Sequence, residues 1–185
     1  PKDLLQSNIF FDLRGGCGSV GLVDDLRLFL FESLEGWTRF FRDLTVNALG
    51  FKPPLGFFRN FVVESKGEHR HKLDIKKSMT PIVDIARIYA LNNNISETNT
   101  HERLYRLYLE KVLNEETYND LDHAYSYLMH QRLSCQIENI LAGKKPDNYI
   151  DPHKLSRMDQ TMLKEIFKRI ERMQTKLRID FTGAA

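Results

Sequence analysis

Residues 115–141 of this chain read EETYNDLDHAYSYLMHQRLSCQIENIL, and this stretch decides the fold class. Side chains on one face, among them Tyr125 and Leu128, recur at steps of three and four residues, which is the spacing of an α-helix. Gly143 and Pro146 follow the stretch and predict where this helix ends. Long helices joined by short loops are typical of an up-and-down bundle.

Further segments on both sides of this stretch carry the same helical spacing. Residues 20–50 repeat apolar side chains at helical steps, and Gly36 leaves open whether they form two antiparallel helices or one bent helix. Thr80-Pro81 predicts a helix that ends near residue 92, because proline is favoured at the first helical position. Capping residues predict two more helices, at 99–112 and 156–181.

Two short parts of the sequence have β character. Residues 57–64 are aromatic and β-branched, and residues 71–76 alternate polar and apolar, so a turn at Lys66-Gly67 predicts a β-hairpin. Residues 9–13 predict a short leading strand that ends in a glycine-rich loop. The expected fold is therefore mostly α: an antiparallel helical bundle with one β-hairpin and a short leading strand.

The composition bounds the class of protein. The 185 residues include 27 Lys+Arg and 25 Asp+Glu, a net charge of +2, which argues against a strong nucleic-acid binder. No apolar run is long enough for a membrane span, so we expect no membrane association. Two cysteines cannot form a disulfide framework, and we expect a reducing, cytoplasmic setting. Because the chain starts at Pro1 and not at methionine, we interpret it as a fragment of a longer protein.

Several polar residues interrupt apolar patterns and are candidates for a site. Asp12 lies between large apolar residues on the predicted strand, where it is either a metal ligand or a solvent-facing carboxylate. Asp84 and Arg87 share a helix face and predict a salt bridge. Arg132 and Gln136 continue the apolar face of the long helix. They predict either an interhelical ion pair, with Asp84 as its carboxylate, or the lining of a cleft.

Other chemistries lack their motifs. The six histidines are scattered without the spacing of metal ligands, so we predict no metal site in this chain. No Gly-x-Ser-x-Gly nucleophile elbow occurs, and the glycines of residues 14–19 lack the spacing of a phosphate-binding loop. The last predicted helix is rich in Lys and Arg, which is either a solvated face or a surface for an acidic partner.

A series of short motifs runs through nearly the whole chain in order. They are Ile-Phe-Phe-Asp-Leu-Arg (9–14), Leu-Asp-Ile-Lys (73–76), Thr-Pro-Ile-Val-Asp (80–84), Ala-Arg (86–87), Ala-Leu (90–91), Thr-Asn-Thr-His-Glu-Arg-Leu (98–104), Arg-Leu-Ser-Cys-Gln (132–136), Pro-Asp-Asn-Tyr-Ile (146–150) and the stretch 163–174. Together they resemble the nucleotidyltransferase substrate-binding domain found at the C-terminus of bacterial proteins that carry CBS regulatory domains.

The resemblance implies a place beside a catalytic domain. Such proteins are similar to the uridylyltransferase that modifies the PII signalling protein, and their upstream domain carries a Gly-Ser motif and an Asp-x-Asp strand. These motifs bind Mg²⁺ and a nucleoside triphosphate. Gly18-Ser19 followed by Asp24-Asp25 does not replace them, because adjacent aspartates point to opposite sides of a strand. We therefore expect residues 1–19 to be a remnant of the upstream domain or linker, and residues 20–185 to be the helical substrate-binding domain.

The function implied by the resemblance is to position a substrate or partner for nucleotidyl transfer in bacterial signal transduction. Asp12 is a candidate for the last strand carboxylate of the catalytic site. Asp74 and Asp84 would orient the cations that hold phosphate or an acceptor surface. These holding residues are Lys76, Arg87 and Arg132, with Gln136.

The resemblance also implies partners. They are the upstream nucleotidyltransferase and CBS domains of the same chain, together with a protein acceptor. The alternative is a non-catalytic regulatory or dimerisation module, a helical bundle coupled to the CBS domains.

Overall fold

Helices account for most of the described chain. The computed structural model describes residues 10–19 and 21–183. Its helices are α1 (Gly21–Leu34), α2 (Thr38–Ala48), α3 (Ile75–Asn92), α4 (Thr100–Leu109), α5 (Glu115–Leu141) and α6 (Arg157–Thr182). Two short strands, β1 (Leu73–Asp74) and β2 (Tyr149–Ile150), pair antiparallel, and a 3-10 turn covers Pro152–Lys154. The predicted mostly-α fold is confirmed. Among the described residues, no helix has the length and apolarity to cross a membrane.

The central helix of the bundle is α3, which contacts α2, α4, α5 and α6. Its side chains Ile82, Ile85 and Ile88 are almost completely buried. They belong to one core with Leu128 of α5 and Phe167 of α6. Full burial of an aliphatic or aromatic side chain contributes about 1.5–3 kcal/mol, so this shared layer is a main source of stability.

The helices α5 and α6 run antiparallel, as the bundle prediction requires. The Tyr127 hydroxyl donates to the Asp159 carboxylate at 3.1 Å, and Arg169 pairs with Asp120. The start of α6 therefore lies beside the middle of α5. The last three turns of α5, residues 130–141, extend past the start of α6, and we call them the α5 overhang.

Polar caps begin the last three helices. The Asn99 side chain accepts the backbone N–H of His101 at 2.9 Å at the start of α4. The side chains of Asn114 and Ser156 cap α5 and α6 in the same manner. The predicted bounds of α5 and the predicted start of α6 are confirmed. The helix α4 ends at Leu109, three residues before the predicted end.

Gly36 separates two helices and does not merely bend one. Its φ of +70° lies in the left-handed region that favours glycine. The following helix, α2, buries Phe40 and Phe41, so it is part of the core. In contrast, Leu34 is the only fully buried side chain that the structure describes in α1.

The predicted hairpin forms only in part. Glu64 donates its N–H to the carbonyl of Lys72 at 2.8 Å and accepts the N–H of His71 at 2.9 Å, so the two segments meet. The regular strand pair, however, joins Leu73 to Ile150, and the predicted strand partner is therefore wrong. Both of these side chains are buried. Burial of Leu73 against a distant apolar strand outweighs pairing with the exposed segment that precedes the turn.

The start of α3 also corrects a prediction. The helix begins at Ile75, six residues before Pro81, where the proline signal placed it. The Asp74 carboxylate caps this earlier start by accepting the N–H of Lys77 at 3.1 Å. Pro81 lies inside the helix, which loses one backbone hydrogen bond there. Lys76 consequently lies in the first helical turn and not on a strand.

The predicted leading strand is not present in residues 10–13. These residues form one helical turn, closed by the N–H of Leu13 and the carbonyl of Phe10 at 3.4 Å. Residues 1–9 of the predicted segment 1–19 lie outside the described residues. So do residues 20, 184 and 185 of the predicted domain 20–185.

Candidate functional site

Four charged side chains meet where residues 10–14 contact the helical bundle. The two Asp12 oxygens accept from Arg87 at 2.7 Å and from Arg103 at 2.6 Å. A second nitrogen of Arg87 donates to Asp84 at 3.0 Å. We call these four residues the junction cluster. Its formal charge is zero, because two guanidinium groups face two carboxylates.

The junction cluster is largely withdrawn from solvent. The Arg103 side chain is 2% exposed, and its Nε donates to the carbonyl of Glu97 at 2.7 Å. The Arg87 side chain is 14% exposed, and its buried Nε has no acceptor among the residues that the structure describes. Removal of one partner from a buried ion pair costs about 3–5 kcal/mol, because the remaining charge is left without compensation.

The pKa values of the two carboxylates in the junction cluster are shifted in opposite directions. Burial opposes ionisation of Asp12, but the hydrogen bonds and charges of Arg87 and Arg103 outweigh it and hold the pKa of Asp12 below its ordinary value. Burial raises the pKa of Asp84 to about 6; the charge of Arg87 opposes this shift, and the charge of Asp12 adds to it. Asp84 therefore carries the less stable charge of the two.

Further contacts fix residues 10–14 to the bundle. The Phe11 ring packs against Phe40 of α2, with ring centroids 5.7 Å apart. The Arg14 Nε donates to the Thr98 hydroxyl at 2.6 Å, in the loop before α4. The segment is thus held by an aromatic contact, a hydrogen bond and the ion pairs of Asp12.

The junction cluster tests two sequence predictions. The Asp84–Arg87 salt bridge is confirmed. Each carboxylate oxygen of Asp12 accepts from an arginine, which favours a structural role for this residue over the candidate catalytic role. Sequence reasoning did not single out Arg103. Its signal was available, because Arg103 lies on the same buried face of α4 as Leu104 and Leu107.

A second polar cluster forms between α5 and the loop before β2. Asn148 Oδ1 accepts from Arg132 Nε at 2.8 Å and from Gln136 Nε2 at 3.0 Å. Beside it, Asn139 donates to the Asp147 carboxylate at 3.2 Å. We call these five residues the amide cluster. Arg132 and Gln136 do share one helix face, as predicted, but their common partner is an amide and not Asp84.

The two clusters lie towards opposite ends of α3. The Asn148 carbonyl accepts the backbone N–H of Ile75 at 2.9 Å, which places the amide cluster at the start of the helix. Arg87 follows twelve residues later, about 18 Å along the axis at 1.5 Å per residue. The prediction that Arg132 would join Asp84 and Arg87 is therefore wrong. Helix periodicity assigned each residue to the correct face of its helix, but it did not specify which residues of the two helices lie at the same level along the bundle axis.

The remaining candidate residues lie near the amide cluster. Lys76 is exposed and forms no ion pair within the described part of the chain. Asp74 caps α3 and lies 3.8 Å from Lys77 Nζ, so it does not orient Lys76 as predicted. The two terminal nitrogens of Arg132 have no protein partner among residues 10–19 and 21–183. Arg132 and Lys76 are therefore two of the cations available at this end of α3.

The amide cluster does not resemble a nucleophilic site. Cys135 lies 3.7 Å from the Asp147 carboxylate. Burial and the charge of Asp147 raise the pKa of the Cys135 thiol, which disfavours the reactive thiolate. Within the described ranges, no group of three or more His, Cys, Asp or Glu side chains is placed to hold a metal ion. The arrangement can donate hydrogen bonds to an anion but cannot activate a nucleophile.

Comparison with known proteins gives a match to one family. No curated protein and no solved structure gives a significant match. The sequence model of one family, described as "Putative nucleotidyltransferase substrate binding domain", matches residues 38–181. The matched region contains α2 to α5 and nearly all of α6, with Arg87, Arg103 and the whole amide cluster. Because the match covers well over half of the chain, this protein belongs to the nucleotidyltransferase substrate-binding domain family.

Proposed function

We propose that this chain positions the nucleotide or the acceptor for a nucleotidyl transfer carried out by an adjoining catalytic domain. The observation that carries the proposal is the family match over residues 38–181. In such a reaction, positioning and charge neutralisation supply most of the catalysis. The helical domain would form one wall of the cleft, and Mg²⁺ and the nucleoside triphosphate would be bound mainly by the catalytic domain.

The junction cluster supports this arrangement. We propose that residues 1–19 connect the helical domain to an upstream nucleotidyltransferase domain, with CBS domains elsewhere in the same protein. A wall of a catalytic cleft must keep a fixed orientation to the catalytic groups. The ion pairs of Asp12 with Arg87 and Arg103 would supply that rigidity, because they fix the segment beside the bundle.

The amide cluster is the proposed contact with substrate. The terminal nitrogens of Arg132 are free of protein partners in the described structure, and the guanidinium fork matches phosphate oxygens. Lys76 adds a point charge at the same end of α3. The Lys72 charge also reaches this region, since it favours ionisation of Cys135. In contrast, Arg87 already serves two carboxylates and is not available for phosphate.

The test is an amide-shift titration of the chain by NMR with UTP, ATP and inorganic phosphate. We expect weak binding, with a Kd on the order of 0.1–1 mM, because one wall alone makes few contacts. The shifts should centre on residues 74–77 and 132–148 and should disappear in Arg132→Ala. Arg178→Ala, on the basic surface of α6, is the matched control and should retain them. Shifts confined to α6 would mean general charge attraction and would remove the proposed site.

The proposal also concerns activity. Incubated with nucleoside triphosphates, Mg²⁺ and candidate acceptor proteins, the chain alone should give no turnover. Its Gly18-Ser19 is not followed by an Asp-x-Asp strand, and Asp120-Leu121-Asp122 lies within the helix α5. Metal-dependent transfer that co-purifies with the chain would contradict the division of labour proposed here.

One observation favours a second function, that of a regulatory or dimerisation module. The α5 overhang exposes a stripe of apolar side chains at helical spacing: Leu133, Ile137, Ile140 and Leu141. This function predicts self-association in analytical ultracentrifugation that is lost in Ile137→Glu. Val46→Glu, an exposed position on α2, is the control. A monomer at 0.1 mM protein (on the order of the weakest useful dimer affinities) would count against this second function.

A further inference from the structure

A cavity of about 460 Å³ opens where the α1–α2 turn meets the ends of α3 and α6. It lies apart from the junction and amide clusters and shares no residue with them. Two kinds of side chain give it its chemistry. Four are aromatic and two are carboxylates: Trp37, Phe41, Tyr89, Phe181, Glu35 and Asp180.

The aromatic side chains form a floor and a wall. Phe41 and Tyr89 are buried, and each packs against Phe181, with ring centroids 6.0 and 5.3 Å apart. Trp37 is different, because 54% of it is exposed. Its indole rests on Phe40 at 5.3 Å and leaves ring surface open to solvent. An exposed aromatic surface beside a formed cavity can stack with a flat ligand group.

The charges of the cavity are negative. Asp180 Oδ2 accepts from the Tyr89 hydroxyl at 2.6 Å and from Lys176 at 2.5 Å, while Oδ1 has no partner in the described part of the chain. Burial opposes ionisation of Asp180, but these two hydrogen bonds outweigh it and hold its pKa below the ordinary value. Glu35 is exposed and forms no ion pair within the described residues. No lysine or arginine is among the described residues that line the cavity.

A cation of the protein already lies over one aromatic ring of this cavity. The Lys176 ammonium lies 5.5 Å from the centroid of Tyr89, within the distance at which a cation is attracted to an aromatic face. In the described part of the chain, neither the Trp37 face nor the Glu35 carboxylate has such a partner. They offer a second position for positive charge. An anion such as phosphate would meet the Glu35 carboxylate there, whereas the charge of Asp180 is already compensated by Lys176.

We propose that this cavity binds a guanidinium group. A guanidinium is planar, stacks on aromatic faces and donates paired hydrogen bonds to a carboxylate, which are the three features that Trp37 and Glu35 together can satisfy. The group can belong to an arginine side chain of another polypeptide or to a small guanidine compound. This assignment does not depend on the function proposed above.

Trp37 provides a direct readout, because it is the only tryptophan of the chain. Tryptophan fluorescence is recorded while N-acetyl-arginine amide is added, and N-acetyl-citrulline amide is the neutral control of nearly the same shape. We expect a saturable change with a Kd on the order of 1 mM for the arginine compound and at least tenfold weaker binding of the citrulline compound. Equal responses to both compounds, or a stronger response to uridine, would overturn the proposal.

Variants locate the binding group. Glu35→Gln should weaken binding of N-acetyl-arginine amide several-fold, whereas Glu32→Gln, an exposed glutamate of α1 outside this cavity, should not. Circular dichroism verifies that both variants keep the fold. If Glu35→Gln is folded and binds as the unchanged chain does, the assignment is wrong.

A final comparison distinguishes the two sources of the group. Free arginine carries a carboxylate that the Glu35 carboxylate would repel. If N-acetyl-arginine amide binds more tightly than free arginine and than methylguanidinium, the cavity takes an arginine within a polypeptide. If methylguanidinium binds as tightly, it takes a small guanidine compound, and in both cases the guanidinium site stands.

Discussion

The junction cluster and the amide cluster lie towards opposite ends of the helix α3. They differ in the groups that surround their arginine side chains. At the junction, Arg87 and Arg103 are buried and face carboxylates, so the charges are neutralised within the protein. At the amide cluster, the described partner of Arg132 is the neutral oxygen of Asn148, whereas the Asp147 carboxylate accepts from Asn139 and from the backbone N–H of Tyr149. An amide orients a guanidinium without neutralising it, so Arg132 remains able to attract an anion.

This difference separates a structural role from a binding role. A buried, neutralised network resists change, because removal of any partner leaves an uncompensated charge. A partly exposed arginine on an amide loses only a modest hydrogen bond when its partner is removed. We therefore expect stability to depend on the junction cluster and ligand response to depend on the amide cluster.

The largest expected effect is on the junction. Arg103→Ala should reduce the free energy of unfolding by about 3–5 kcal/mol, because the Asp12 carboxylate and the carbonyl of Glu97 lose a buried donor. Denaturant unfolding measures this loss. Arg106→Ala, on the exposed side of the same helix, removes a surface ion pair with Glu97 and should cost about 0–1 kcal/mol. Equal losses in the two variants would show that burial does not distinguish Arg103.

The next effect is a dependence of stability on pH through Asp84. Its pKa in the folded protein is about 6, above the ordinary value of 3.8. Between these two pH values, Asp84 therefore binds a proton in the folded state but not in the unfolded state. The free energy of unfolding should therefore rise by about 1–3 kcal/mol as the pH falls from about 6 to about 4. Unfolding curves across this range measure the rise, and Asp84→Asn should abolish it.

Asp12 contributes with the opposite sign. Its pKa is lowered in the folded protein, so its stabilisation is present above its unfolded pKa of 3.8 and is lost as the pH falls through the lowered value. The two carboxylates thus act in separate pH windows. A loss of stability between pH 6 and 4 that Asp84→Asn does not alter would contradict the assignment of the raised pKa to Asp84.

The variant Asn148→Asp should have the smallest effect on stability, and it is the sharpest test of the comparison between the two clusters. This change gives Arg132 a carboxylate partner and converts the amide cluster into a neutralised pair like those of the junction. Stability should change by no more than about 1 kcal/mol, because Arg132 is partly exposed. The response to phosphate in the NMR titration should weaken at least tenfold. An unchanged response would mean that the free charge of Arg132 is not what attracts the anion.

Much of the helical structure could be predicted because its signals are local. Asn99 and Ser156 cap helices within three residues of themselves, and the apolar repeat of α5 is read within one helix. The errors arose where a local signal competed with a distant partner. Pro81 is favoured at a helix start, yet the Asp74 cap and burial of Ile75 start α3 earlier.

The candidate site could be predicted only in part. Arg87 with Asp84 and Arg132 with Gln136 were paired correctly by helix spacing, since residues three or four apart share a face. The role of Arg103 was missed, although an arginine on an otherwise apolar face of α4 was a visible signal. The aromatic cavity around Trp37 was also missed, because its walls come from four separate segments of the chain.

The sequence by itself determined the helical class, the course of α5 and α6, and which side chains face the core. Those properties depend on spacing and capping over a few residues. Tertiary structure alone decided that Asp12 meets Arg87 and Arg103, 75 and 91 residues away, and that Asn148 meets Arg132. Periodicity specifies the face on which a side chain lies, but only packing of the helices decides which segment lies opposite and at what height. Packing therefore decided that Arg87 and Arg103 are neutralised by carboxylates, whereas the terminal nitrogens of Arg132 have no partner in the described structure.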